Sequence, residues 1–288
     1  MLHGVEMMSA AAEIGSPADK LVQLQSILRD CGSVCIGYSG GVDSVYLARV
    51  AVGVLGARHV LAVTGRSASV PQAQAQYARE LAMNLGIPHL EAETAELADP
   101  EYVANGTRRC YFCKSELWRV LFAIANERGL VTVIDGSNAD DAQDYRPGLM
   151  ATREWQVRSP LLEAGLSKKE IRHASWELGL PTWDQPSSPC LSSRLPYGLA
   201  VTPERLRQVE RAELELRALG FREFRVRHHG DAARLEFAWP ELQRAVELRH
   251  GITAAVRGAG FARVLLDVEG YRRGALNEGI SLVYLRKT

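Results

Sequence analysis

The eight residues GYSGGVDS, at positions 37–44, join an apolar run, SVCIGY (33–38), to a segment with helical spacing, DSVYLARVAVGVL (43–55). A glycine-rich turn between a strand and a helix leaves few architectures open. Ser39, Gly40 and Gly41 let the backbone approach an anion closely, and the following helix offers unpaired N–H groups and a positive dipole end. Ser44 adds a hydroxyl donor. The lysine and spacing of a Walker A loop are missing. Asp43 would repel a phosphate by itself, so it reads as a group that carries Mg²⁺ or a proton beside the phosphates. The plainer alternative is a strand–turn–helix corner that uses glycine only for its turn.

Further elements alternate in the same way. VLAVTG (60–65) reads as a strand, and PQAQAQYARELAMNLG (71–86) as a helix opened by Pro71 and stopped by Gly86. HLEAET (89–94) is a weaker strand, KSELWRVLFAIANERG (114–129) a helix, and VTVIDG (131–136) a β-branched strand. The expected class is α/β, a parallel sheet with helices on both faces and ligands beyond the carboxyl ends of its strands. Residues 181–200, with four prolines, form a loop. From about residue 201 the pattern becomes a smaller α+β unit: a helix at 202–220, paired strands at 221–230 and 232–238, a helix at 240–260 and a strand at 261–270. ALGFREFRV and GAGFARVLL resemble each other, which hints at a helix-then-strand repeat. The expected division is an extension over 1–19, the α/β domain over 20–180, the loop over 181–200 and the α+β domain over 201–288.

At 288 residues and 47% hydrophobic, the chain buries a sizeable core. Lys+Arg and Asp+Glu are 34 each, and this zero balance argues against gripping extended nucleic acid through many phosphates. No apolar run approaches a membrane span, and the N-terminus carries Glu6 and Glu13 in place of a basic signal region. Five cysteines, an odd number, do not make a disulfide framework, so a reducing cytoplasm is expected.

Cys110 and Cys113 form a CxxC in RRCYFCK, at a spacing that brings two thiols to one side of a metal centre. Cys190 lies in SSPCLSSR, with Arg194 nearby to favour a thiolate. Three thiolates would leave one metal position open. Cys31 and Cys35 read as core residues. FREFRVRHHGDAAR (221–234) holds four arginines and two histidines. Arg225 and Arg227, two apart on a strand, share a face suited to a phosphate or carboxylate, or else form a solvated face. Of His228 and His229, at most one reaches a ligand. The five tryptophans read mostly as packing residues. Lys114 reads either as a phosphate contact or as a surface lysine, Ser193 and Arg194 as phosphate or loop anchors, and LSKKEIR (166–172) as a capped helix start in which Lys168 is a weaker nucleotide contact.

SGGVDS resembles the signature of the PP-loop ATP pyrophosphatases, and IDGSNADD (134–141) is similar to that superfamily's second stretch. The resemblance implies that Gly136 and Asn138 close over ATP and that Asp140 or Asp141 assists the metal. GYSGGVDS, RCYFCK, SPLLEAGLSKKEIR, DQPSSPCLSSRLPYG and RVRHHG together resemble the LarE family, sulfur transferases of nickel-pincer cofactor biosynthesis. The resemblance implies that ATP adenylylates a carboxylate of a nicotinate-derived pyridinium dicarboxylate mononucleotide. A sulfur nucleophile then releases AMP and leaves a thiocarboxylate. It assigns Arg225 and Arg227 to the substrate phosphate, with Glu236 and Arg272 or Arg273 as neighbours. The sulfur comes either from Cys190 itself, which becomes dehydroalanine, or from a [4Fe–4S] cluster on Cys110, Cys113 and Cys190. The two additional cysteines favour the cluster over Zn²⁺ and over the sacrificial form. Homo-oligomers and other proteins of the same pathway are the implied partners. Alternatives are a PP-loop tRNA thiolase, an amide-forming ligase of the NAD or GMP synthetase kind, and a nucleotide sensor without turnover.

Overall fold

In the computed structural model, which describes residues 16–143, 147–186 and 189–272, the first element is α1 (Pro17–Cys31). A capping box starts it, with Ser16 and Asp19 each accepting the other's backbone N–H and Pro17 fixing the first turn. It therefore enters the stretch expected as an extension over 1–19, because S-x-x-D before a leucine-bearing run is a helix start. There follow β1 (Val34–Gly37), α2 (Val42–Leu55), β2 (Val60–Arg66), α3 (Gln72–Asn84) and β3 (His89–Glu93). Next come α4 (Pro100–Val103), α5 (Arg109–Arg128), β4 (Thr132–Ile134), α6 (Pro147–Glu154), α7 (Pro160–Glu163) and α8 (Lys168–Glu177).

The four strands form one parallel sheet in the order β3–β2–β1–β4. Residues alternate between its two covered faces, as the pleat requires. Val34, Ile36 and Ala62 pack with the core of α1 and α2, whereas Cys35, Val63 and Val133 pack on Trp118 and Leu121 of α5. Helices thus cover both faces, as expected. The strand order reverses between β1 and β4, which makes a switch-point crevice at their carboxyl ends.

The proline-rich stretch carries a short 3₁₀ turn at Leu191–Arg194. Then come α9 (Pro203–Ala218), β5 (Phe224–His229), β6 (Ala232–Phe237), α10 (Trp239–Glu247), α11 (Arg249–Gly258) and β7 (Arg263–Leu266). β5 pairs antiparallel with β6, and β6 parallel with β7. The helix expected over 240–260 is two helices, parted at Leu248 with φ −88° and ψ 13°. The break turns Ala245 of one and Ile252 and Val256 of the other onto a single core. The repeated phrases each place a buried phenylalanine, Phe221 and Phe261, between a helix and a strand. That core also takes in Tyr102, Leu191 and Leu195.

The tryptophans depart from expectation. Trp118 is buried and Trp155 stacks on Phe122, but Trp176, Trp183 and Trp239 are exposed, and Trp176 finds its partner in His173 at the surface. Cys31 and Cys35 are buried as expected, and burial pushes the Cys35 thiol up to about 12.

Candidate active site

The loop after β1 is shaped by hydroxyls and by one glycine that cannot be replaced cheaply. Ser44 Oγ donates to Gly41 O at 3.0 Å and accepts Ser39 N at 3.2 Å; its single proton is then used, so Ser39 Oγ is the donor in their 3.2 Å contact. Gly40 has φ +72°, and a Cβ there would lie 2.9 Å from that of Ala78 on α3. Gly41 caps α2 without a side-chain hydrogen bond, which leaves the first-turn N–H groups available to an anion.

Across the switch point, the loop after β4 presses on the same helix start. A Cβ at Gly136 would sit 3.1 Å from Ser44 N. Asn138 Nδ2 donates to Asp43 Oδ1 at 3.4 Å, and Lys168 Nζ is ion-paired with Asp43 Oδ2. Asp140 accepts Lys168 N at 3.0 Å, and Asp141 accepts Asn138 N at 3.1 Å, so both acids shape this loop. Behind them the buried Asp135 accepts Ser159 Oγ at 2.7 Å and Ser137 Oγ at 2.8 Å. Asp43 is therefore tethered by groups from two other segments. Lys168 sits at the start of α8, beneath the capping box of Ser167 and Glu170.

Helix α5 seats on the sheet's carboxyl edge. A Cβ at Gly37 would meet the Trp118 ring at 3.1 Å, and one at Gly65 would meet Leu117 at 3.0 Å. The two turns before Leu117 consequently overhang the strand ends, carrying Cys110, Cys113 and Lys114. Lys114 Nζ lies 4.5 Å from the centre of the Trp118 ring. Cys190 arrives at the same edge, since Leu191 N donates at 2.8 Å to Ser69 O in the loop following β2. All five cysteines are free; Cys110 is exposed, Cys113 and Cys190 half-buried. Burial pushes the Cys113 thiol well up, and the nearby Cys190, Glu96 and Cys110 push it further. The three thiols thus share one electrostatic neighbourhood, although among the described residues no three His, Cys, Asp or Glu side chains close on a single ion.

On the small sheet the pleat sorts β5 cleanly. Phe224, Val226 and His228 face the helices, with His228 edge-on to Phe261 and bonded to Gln208 at 3.0 Å. Burial, then Arg205 and His229, lower the His228 pKa. Arg225 and Arg227 share the other face, joined there by Arg234 and Glu236 of β6. Arg227 bonds Glu236 through Nε at 2.9 Å and Ser193 O through Nη1 at 2.8 Å. Arg225 lies 4.6 Å from the centre of the Tyr271 ring, and burial followed by the charge of Arg194 lowers its pKa.

Most of the expected substrate contacts are engaged within the protein. Arg194, 1% exposed, makes a bidentate pair with Glu213 at 2.8 and 3.0 Å and also holds the carbonyls of Pro189 and Cys190. Glu236, equally buried, is shared by Arg227 and Arg234. Ser193 Oγ donates to Cys190 O at 2.7 Å. Arg272 makes an exposed pair with Glu269, and Arg273 lies outside the described residues.

Arg109 was not legible as a site residue. It is buried beside the thiols and bonds Ser192 O at 2.9 Å. Burial works against its charge, but Cys190, Cys110, Tyr102 and Tyr197 together outweigh it, so its pKa rises. Glu96 is a second buried group near Cys113, held by Ser67 Oγ. The doubled arginine of RRC was the only local hint of the first, and nothing local marked the second.

Among the described residues no helix is long and apolar enough to cross a membrane. Residues 21–107 match the NAD synthase family. An uncharacterised protein of Synechocystis sp. is 45% identical over 90% of this chain and 97% of its own length. The pyridinium-3,5-bisthiocarboxylic acid mononucleotide synthase of Lactiplantibacillus plantarum is 34% identical over 93% of this chain and 97% of its own. An uncharacterised protein of Methanocaldococcus jannaschii is 26% identical over 88% of the chain. With the loop after β1, the switch-point crevice and the overhanging thiols in place, these likenesses assign the chain to the LarE family of PP-loop, ATP-dependent sulfur transferases.

Proposed function

We propose that the protein adenylylates a carboxylate of a nicotinate-derived pyridinium dicarboxylate mononucleotide and converts it to a thiocarboxylate. In the first step a carboxylate oxygen attacks the α-phosphorus of ATP and pyrophosphate leaves. In the second, sulfur attacks the acyl carbon and AMP leaves with the electron pair of the broken C–O bond. One observation carries this reading: the Cys190 loop is hydrogen-bonded to the loop after β2, beside the anion-ready loop after β1, on one edge of one sheet.

Ser39, Gly40, Gly41 and Ser44 hold the phosphates, with the first-turn N–H groups of α2. Gly136 and Asn138 close the opposite side, and Lys114 meets the charge from above. Asp43 would hold Mg²⁺, a hard cation that takes carboxylate oxygen, once Lys168 yields its place on Oδ2, and Asn138 aims the carboxylate. Arg225 and Arg227 receive the substrate phosphate, with Ser193 beside them. Glu236 holds Arg227 in line, and Arg194 anchors the cysteine loop rather than touching substrate. Arg272 is a peripheral neighbour.

Cys110, Cys113 and Cys190 suit a [4Fe–4S] cluster: three free thiols on one edge, with the cationic Arg109 among them to offset thiolate charge. When bound, such a cluster supplies a removable sulfide. A second reading needs only Cys190, free and half-buried in its tied loop. In it the Cys190 thiolate attacks the acyl-adenylate, and elimination across its Cα and Cβ then leaves the sulfur on the product. The work is placed in the cytoplasm, with the protein assembled as a homo-oligomer beside other proteins of the same pathway.

The test is to incubate the protein with ATP, the pyridinium dicarboxylate mononucleotide and an ammonium salt, and follow pyrophosphate and product mass. Acceptor-dependent pyrophosphate and a thiocarboxylate support the reading. Pyrophosphate with an amide product, or salt-sensitive binding of tRNA with no reaction on the mononucleotide, overturns it.

A further inference from the structure

We propose that Ser69, Tyr102, Asn105 and Arg109, all from the parallel-sheet half of the chain, form a latch that fixes the Cys190 thiol opposite Cys113. Tyr102 and Arg109 are then positioning residues for sulfur chemistry. The inference rests on the reading that Cys190 carries that chemistry, and it is indifferent to the sulfur source.

Ser192 is the point of grip. Its hydroxyl lies 2.6 Å from Tyr102 Oη and 3.3 Å from Ser69 Oγ, and Tyr102 Oη lies 2.6 Å from Ser69 Oγ. Three hydroxyls in a ring can each donate once and accept once, so no hydroxyl proton is left unpaired. The Ser192 carbonyl accepts Arg109 Nη1 at 2.9 Å, and that nitrogen also donates to Asn105 Oδ1 at 2.6 Å. Asn105, with φ +55°, sends its Nδ2 to the carbonyls of Pro196 and Leu199, both at 2.8 Å. On the other flank of Cys190, Arg194 holds the carbonyls of Pro189 and Cys190. The backbone around the thiol is therefore tied from both sides, which leaves the side chain mainly its own torsion.

Burial alone does not account for this choice of residues. Leu191 and Leu195 already attach the loop to an apolar core. Dry polar groups are costly unless every one is satisfied, and what a satisfied network adds over an apolar contact is a single geometry. Ser69, Tyr102, Asn105, Arg109 and Ser192 are all at most 3% exposed.

The experiment uses the full chain in a Cys110→Ser background, treated with a short bifunctional thiol reagent. Mass spectrometry reads the ratio of Cys113–Cys190 cross-link to single modification of Cys190. That ratio reports thiol placement and cancels any change in the reactivity of Cys190 itself. Tyr102→Phe and Ser192→Ala should each lower it about fivefold, the loss of roughly one net hydrogen bond. A parent protein that gives no cross-link, or ratios unchanged in both variants whatever their melting temperatures, overturns the latch. Because no turnover is needed, its failure is distinguishable from failure of the thiocarboxylate reading.

Discussion

Cys190 is the residue on which the chemistry turns, and its neighbours make its roles separable. Cys190→Ala should abolish thiocarboxylate formation while ATP still binds, as calorimetry with ATP would register; full product from the variant would move the chemistry elsewhere. Anaerobically purified protein should be brown and lose that absorbance in Cys110→Ala, Cys113→Ala or Cys190→Ala. A colourless protein that instead becomes about 34 Da lighter in one turnover, the mass of H₂S, uses Cys190 as its own sulfur source. Arg225 is buried near Arg194 and Arg227, so its charge is held where an anion would offset the mutual repulsion. Arg225→Ala should weaken binding of the mononucleotide tenfold or more, in the range of about 1.5–3 kcal/mol for a charged hydrogen bond, and leave ATP affinity within about twofold. Equal losses for both ligands would remove Arg225 from the substrate end.

Elements differ in how openly the sequence declares them. The loop after β1 and the alternation of β1, α2, β2 and α3 could be read directly, because glycine conformation and hydrophobic period are local properties. The start of α1 was also local, and only its position inside an apparent extension concealed it. The division between α10 and α11 was hidden, since a continuous amphipathic pattern crosses Leu248 and only the shared core demands the bend. Arg109 was hidden for a different reason: its partner Ser192 is 83 residues away, and no period encodes that distance. Local signals did give the capping box of α8, and from it follows a pH dependence. Burial raises the Glu170 carboxyl, but hydrogen bonds from Lys20 and Ser167 outweigh it and hold the pKa down to about 2 from an ordinary 4.5. A depressed acid stabilises the fold above its unfolded pKa and loses that contribution as pH falls through the folded one. The tie between α1 and α8 should therefore weaken from pH 4.5 towards pH 2, by about 2 kcal/mol after solvent screening. In Glu170→Gln the acid-unfolding curve should flatten across that window, with stability already lower at pH 7. An unchanged curve would show that the pair contributes nothing.

At the scale of the molecule, the two sheets share more than a chain. Tyr102 belongs to the first half in sequence, yet it packs in the core of the second with Phe221, Val226 and Leu235. Unfolding by urea should accordingly be one transition, with far-ultraviolet and tryptophan signals coincident. Phe221→Ala removes a ring 4.6 Å from that of Phe237 and should cost about 3–5 kcal/mol while keeping the transition single. Two separated transitions would show that the halves are energetically independent. The seating of α5 has a further consequence. Trp118 rests on the end of β1 while Cys113, five residues earlier, overhangs the edge, so the helix works as a keyed shaft. Each residue turns an α-helix by about 100°. One amino acid inserted between these two positions would leave the shaft seated and swing both forward sulfurs about a quarter-turn off the crevice. The same turn would carry the buried Arg109 away from Asn105 and Ser192, so sulfur placement and the grip on the cysteine loop share one register.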